Sequence, residues 1–293
     1  MNSIVKDKEC NYDVNNHAGE KLFSVDGYPI YECKKCGHRY TPIHKNTEEH
    51  IEEVYSEDYF FGGQDGYPDY LEEKEILIKH GKAYAKIVEK YKSPGHMLDV
   101  GCAAGYIMKG FSDSGWKVKG IDPNEEMVNF GKENLNLDIH RAYLEDYSDP
   151  QKYDLVSLIQ VVGHFIHLDM AIKNLAKLLN RDGIVLIEYW DMNSFVAKLF
   201  GTNWHEYSPP SVLHWFSKET LIKLMRTHGF SPLTKGKPKK FISAQHAFSL
   251  LSEKTNIQIL KKKLNELSKS NIGQINFRYP PLDVSWMIFK RNK

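Results

Sequence analysis

The sequence predicts an α/β fold: a doubly wound, mostly parallel sheet with helices on both faces. Three observations carry this. Past the first third of the chain, short apolar runs alternate with segments of helical periodicity. The first of these runs ends in a glycine loop, "LDVGCAAGY" (98–106), that opens a helix. The next run, "KVKGID", closes on an acidic residue, Asp122, about 20 positions further on.

The elements follow in order. The first 50 or so residues are polar and broken, with strand-like pieces "KLFSV" and "YPIYEC". An aromatic, glycine-rich stretch, Tyr55 to Tyr70, reads as a lid or linker. From Leu71 to Tyr91, Leu77, Tyr84, Ile87, Val88 and Tyr91 recur at helical spacing. Then strand and helix alternate: "HMLDV", a helix from Gly105 to Ser114, "KVKGID", a helix from Asn124 to Asn134, "YDLVSLIQ", a helix from Leu168 to Leu179, and "GIVLIEYW". A last helix, Lys218 to His228, leads into "FSPLTK", and "DVSWMIFKR" alternates like a closing strand. Between these two lies a mostly helical insert, about 244–265. The expected division is a small module over 1–50, a lid over 51–70 and one large domain over 71–293.

Bulk properties narrow the function classes. A chain of 293 residues with 41% hydrophobic and 26% charged residues has the composition of an ordinary globular protein. The net charge of +1 and the lack of an aromatic-basic pattern argue against nucleic acid as the partner. No apolar run approaches the roughly 20 residues that span a bilayer. "MNSIVKDKEC" has no signal-peptide core, and four cysteines make no disulfide framework, so a reducing, cytoplasmic setting is expected.

The glycine loop identifies the ligand class. Small residues let the backbone approach a ligand, and a helix N-terminus favours an anionic group. A dinucleotide fingerprint fails twice, at Ala103 and Tyr106. The spacing Asp99-x-Gly101-x-x-x-Gly105 instead resembles class I S-adenosylmethionine-dependent methyltransferases, over about Leu71 to the end. That resemblance implies a Rossmann-like, doubly wound, seven-stranded sheet of the class I methyltransferase type. It implies that Gly101, Cys102, Ala103 and Gly105 approach the amino-acid end of S-adenosylmethionine, with Asp99 near its ammonium group. Asp122 would accept the ribose hydroxyls, Leu144 would offer its backbone N–H to the adenine, and Gln160 would touch the cofactor. The family's adenine-binding aspartate falls on Tyr143, with Glu145 beside it. In "LIQVVGHFIH" the family's E-H pair reads Gly163-His164. "WHEYSPPSVLHWFSKETL" resembles a segment of a bacterial subgroup close to the ubiquinone-biosynthesis O-methyltransferases; Val212 stands at its first histidine and His214 at its second.

The same subgroup often begins with a zinc ribbon, and "VDGYPIYECKKCG" is similar to its second half. Cys10, Cys33 and Cys36 supply three ligands for a structural zinc, and Asp13 or His17 the fourth. The resulting expectation is a methyltransferase acting on a small-molecule acceptor: a hydroxyl or carbon of a sugar, polyketide or quinone-like compound. A modifier of RNA or protein and a non-catalytic scaffold are the alternatives. An alcohol needs a base to take its proton. Among His164, His167, His205 and His214, the first and last are the expected base, with Tyr207 and Glu188 secondary.

Overall fold

A computed structural model describes residues 10–43, 46–54, 73–238, 240–243, 263, 276–279 and 282–292. The expected lid, Tyr55 to Tyr70, lies outside them, as does the expected helical insert apart from Lys263. Backbone contacts separate a main unit, Met1–Gly236 with Leu282–Lys293, from a second unit, Lys237–Pro281. In the second unit β11 (Lys240–Ser243) pairs antiparallel with β12 (Asn276–Tyr279).

The main unit is built on a seven-stranded sheet, in the order β10 (Phe230–Gly236), β13 (Val284–Arg291), β8 (Leu179–Trp190), β7 (Tyr153–Ile159), β4 (His96–Val100), β5 (Lys117–Asp122), β6 (Ile139–Arg141). The five strands from β8 to β6 run parallel; β13 is antiparallel to β8 and to β10. The strand order reverses between β4 and β7, which is where a doubly wound sheet opens a crevice at its strand ends.

Alternation along the strands feeds two cores. Leu98, Val156, Leu158, Val185 and Ile187 meet α5 (Leu168–Leu178) and α6 (Lys218–Thr227) on one face. Met97, Leu155, Ile184 and Leu186 meet α2 (Lys74–Val88) and Phe111 of α3 (Tyr106–Ser112) on the other. A strand buried on both faces has no polar side to show, hence its continuous apolar reading. On α5 the buried residues Leu168, Ala171, Ile172, Leu175 and Leu178 keep the helical spacing of one face. Local chemistry fixes the helix starts. Asn124 accepts from the Met127 N–H at 2.9 Å to open α4 (Glu125–Leu135), and Ser217 with Thr220 forms a reciprocal capping box on α6.

A second sheet has four strands: β1 (Glu20–Val25), β2 (Tyr28–Glu32), β3 (Arg39–Tyr40) and β9 (His214–Trp215). The first three belong to the expected N-terminal module, together with α1 (Thr47–Val54) nearby in sequence; the fourth comes from the large domain. Arg39 pairs with Trp215 and Tyr40 with His214. Shared apolar clusters join the two parts as well: Val14, Tyr40 and Ile43 pack with Ile166 and Leu213. The boundary expected at residue 50 is therefore crossed by backbone pairing, which the sequence, with a two-residue β9, does not signal.

Candidate functional site

The glycine loop turns sharply off β4. Gly101 (φ 66) and Gly105 (φ 84) occupy left-handed backbone, and so does Ala103 (φ 46). A Cβ at Gly105 would sit 2.7 Å from Leu137 and 2.8 Å from Ile139, so packing beneath the loop also demands glycine there. The loop amides point inward. Gly101 and Cys102 donate to the Ile121 carbonyl, Gly105 to the Cys102 carbonyl, and Ala103 to Asp122 Oδ2 at 2.7 Å. These bonds hold the loop's shape.

Charge at this crevice comes from two buried carboxylates. Asp99 is 3% exposed and Asp122 5%. Burial raises Asp99 to about 7; the Ser157 hydroxyl donates to it and works against the rise, while Asp122 adds to it. Burial likewise lifts Asp122 to about 6, opposed by the Asn124 and Ala103 amides. Among the described residues no lysine or arginine is hydrogen-bonded to either. Two desolvated carboxylates without a cation suit a ligand that is itself cationic, as an amino acid carrying a sulfonium is. Leu144 lies in the same core, its carbonyl held by Asn174 Nδ2 at 2.8 Å.

Beyond the ends of β7 and β8 lies a small cleft, lined by Gln160, Gly163, His164, Glu188, Glu206 and His214, with Trp190 and the buried Trp215 as aromatic neighbours. Gln160 has left-handed backbone (φ 59) and is pinned twice to β8: its amide nitrogen donates to the Glu188 carbonyl at 3.0 Å and its side chain to Glu188 Oε1 at 2.7 Å. Gly163 has a local explanation. Its carbonyl accepts from both Leu213 and His214, and a Cβ would stand 3.0 Å from the His214 carbonyl oxygen. A glutamate there would push away the strand that forms the cleft wall.

The two expected bases differ. His164 lines the cleft; its Nδ1 lies 2.6 Å from the Ser211 carbonyl, the Gln160 carbonyl also bonds the ring, and burial lowers its pKa. His214 also lines the cleft, but both its nitrogens are engaged, Nε2 with the Phe165 carbonyl and Nδ1 with His38 Nε2, each at 2.8 Å. Burial depresses it to about 3. With its lone pair held by His38, His214 has no place for a substrate proton, against the expectation that it serve as base. His167 and His205 lie at the surface, facing Asp13 and Asp283 respectively.

Cys10, His17, Cys33 and Cys36 converge, with all ligand atoms within 4.8 Å of one another. Cys10 and Cys33 sulfurs are 3.9 Å apart, and Cys36 Sγ is 3.4 Å from His17 Nε2. Tetrahedral zinc with bonds near 2.3 Å to sulfur and 2.0–2.1 Å to nitrogen needs edges of about 3.5–3.8 Å, so the residues fit the ion. Asp13, the other candidate for fourth ligand, is elsewhere: its carboxylate takes His167 Nδ1 at 2.7 Å. The backbone turn that sends Asp13 out, with the Asn16 and His17 amides on its carbonyl, brings His17 in. His38, directly after this knuckle, carried no motif signal.

Comparison with known proteins gives the fold and its loop a family. The methyltransferase domain family matches residues 74–235, more than half the chain, and the chain belongs to it. It is an S-adenosylmethionine-dependent methyltransferase. It is similar to the ubiquinone biosynthesis O-methyltransferase of Pelagibacter ubique, 26% identical over 177 residues that cover 54% of this chain and 73% of that one. The enzyme of the same name from Rickettsia prowazekii is 27% identical over 209 residues, covering 65% and 75%. Among solved structures, the fold is similar to that of the Burkholderia thailandensis 1,6-didemethyltoxoflavin-N1-methyltransferase bound to its substrate and S-adenosylhomocysteine. That match has a TM-score of 0.55 at 12% identity and covers 94% of this chain and 100% of the other. A SAM-dependent methyltransferase from Archaeoglobus fulgidus aligns with a TM-score of 0.50 at 19% identity, covering 76% and 99%.

Proposed function

We propose that the protein methylates a hydroxyl of a small, planar, quinone-like acceptor. The observation that carries this is the cleft beyond β7 and β8, where Trp190 and Trp215 stand beside Gln160, His164 and Glu188. Aromatic neighbours favour a flat ring. The names of the relatives, O-methyltransferases of ubiquinone biosynthesis, support the same acceptor class. S-adenosylmethionine supplies an electrophilic methyl on a positively charged sulfur. Asp99 and Asp122 hold its cationic and ribose ends, Gly101 to Gly105 and Leu144 shape its seat, and Gln160, fixed by Glu188, orients its neighbour in the cleft.

Transfer is an in-line displacement. With S-adenosylmethionine bound, the acceptor oxygen would form the new C–O bond as the C–S bond broke, leaving the electron pair on sulfur. The chain aligns the partners and excludes water. The acceptor's proton is assigned to His164, which burial keeps neutral near pH 7; its ring faces carbonyl oxygens, which can accept from a second ring N–H, whereas His214 faces the donor His38. The knuckle of Cys10, His17, Cys33 and Cys36 holds one structural zinc.

The test combines labelled S-adenosylmethionine with catechol, hydroquinone and sugar-hydroxyl acceptors, and with RNA and protein as controls. Label should enter the aromatic hydroxyls. His164→Gln should keep S-adenosylhomocysteine affinity and lose about 10²–10⁴ in turnover, the usual worth of a positioned base. Label in RNA or protein alone, or turnover of the variant within a few-fold of the parent, would overturn the acceptor class or the base respectively.

A further inference from the structure

The knuckle and the cleft wall are joined through one buried side chain that neither motif explains. His38 is fully buried, and its ring stacks on the zinc-ligand candidate His17 with centroids 5.4 Å apart and planes 19° from parallel. On its other side His38 Nε2 lies 2.8 Å from His214 Nδ1, the two rings meeting edge to edge with centroids 5.0 Å apart. His214 lines the cleft.

The proton positions in this chain follow from its end. A carbonyl oxygen only accepts, so His214 Nε2, 2.8 Å from the Phe165 carbonyl, carries the hydrogen. In a neutral ring Nδ1 then holds a lone pair, and His38 Nε2 must donate to it. His38 Nδ1 is left as an acceptor, without a hydrogen-bond partner among the described residues. A single arrangement satisfies all three groups, and it fixes the tautomer and ring plane of His214. The backbone runs the same way. Cys33 donates to the His38 carbonyl at 2.9 Å, β3 pairs with β9, and Thr41 donates to the Leu213 carbonyl at 3.0 Å.

We propose that His38 is a positioning residue through which the Cys10–His17–Cys33–Cys36 knuckle holds the acceptor-side wall, Val212 to Phe216, in place. The ion at the knuckle then does more than fold a remote module: it sets the order of the cleft wall and leaves the glycine loop alone. This rests on reading the cleft as the acceptor site and the knuckle as a zinc site.

The experiment needs no acceptor. Hydrogen exchange by mass spectrometry is followed at 28–43, 211–216 and 98–106 in the purified protein, in protein stripped by a chelator, and in His38→Phe and His38→Gln. Phenylalanine keeps the ring stack and removes the donor; glutamine restores an N–H near the Nε2 position. Stripping should speed exchange at 28–43 and 211–216 together, by about tenfold or more, with 98–106 unchanged. His38→Phe should keep its zinc and speed 211–216 alone, and His38→Gln should recover most of the protection. S-adenosylhomocysteine affinity should stay within about two-fold throughout. Unchanged exchange at 211–216 in His38→Phe overturns the link. So does equal loosening of 98–106, or a glutamine variant no better than phenylalanine. Native protein free of metal overturns the knuckle's part in it. Because exchange is read without acceptor, failure of methyl transfer to hydroxyl compounds leaves this result standing, and the reverse also holds.

Discussion

Asp99→Asn separates what the crevice costs from what it does. The carboxyl of Asp99 is raised to about 7, chiefly by burial, from an ordinary value near 3.9. In the folded, ligand-free protein it keeps its proton where the unfolded chain has lost one. A group raised in this way contributes stability that is fully present below about pH 4 and is lost as pH climbs through about 7. The gap of about 3 units, at about 1.4 kcal/mol each, makes the loss roughly 4 kcal/mol by about pH 8. Asparagine does not titrate, and its carbonyl oxygen can still accept from the Ser157 hydroxyl. Urea unfolding of ligand-free parent and variant across about pH 4 to about pH 8 should therefore show the variant gaining on the parent up to about pH 7 and holding its lead above it. The variant should also bind S-adenosylmethionine more weakly, having lost the charge that faces a cation. A stability difference that stays flat with pH refutes the claim that Asp99 is held protonated by burial.

Two further outcomes are expected. Asp122→Asn replaces one of the two oxygens that accept the Ala103 and Asn124 amides by an NH₂ group, which leaves one buried N–H facing a donor. Amide exchange at Ala103 and Asn124 should speed in the ligand-free variant, and unchanged exchange there would remove Asp122 as the brace of the loop. Elemental analysis should find one zinc per chain, absent in His17→Ala and retained in Asp13→Ala. The second variant loses surface contacts to the Asn15 amide and the Asn16 side chain and a part-exposed contact to His167, the last worth about 0–1 kcal/mol. The reverse pattern would put Asp13 at the metal.

Most of the sheet was legible because its signals are local. A strand buried on two faces reads as an apolar run, and a loop that needs left-handed backbone reads as glycine, as at Gly101 and Gly105. Cys33 and Cys36 were legible from their spacing, and Cys10 from the resemblance to a zinc ribbon. The choice between Asp13 and His17 was not, because it turns on which way a backbone turn faces. Asp122 was legible as a crevice carboxylate, but not as a brace, since its partners are backbone amides that no residue type announces. Gly163 read as a departure from a motif; its reason, the approach of the His214 backbone, lies 51 positions away. β9 has two residues, too few for any periodicity, and exists because β3 and Gly163 give its backbone partners.

That borrowed strand has a consequence in time. The sulfur and nitrogen ligands of the knuckle pair across 23 and 19 positions, so an ion can close it as soon as the N-terminal segment leaves the ribosome. His38 and His214 are separated by 176 positions. At about 5–20 residues per second the partner emerges roughly 9 to 35 seconds after the segment it completes. For that interval β3 is an open edge, the kind of surface to which another nascent chain can add a strand.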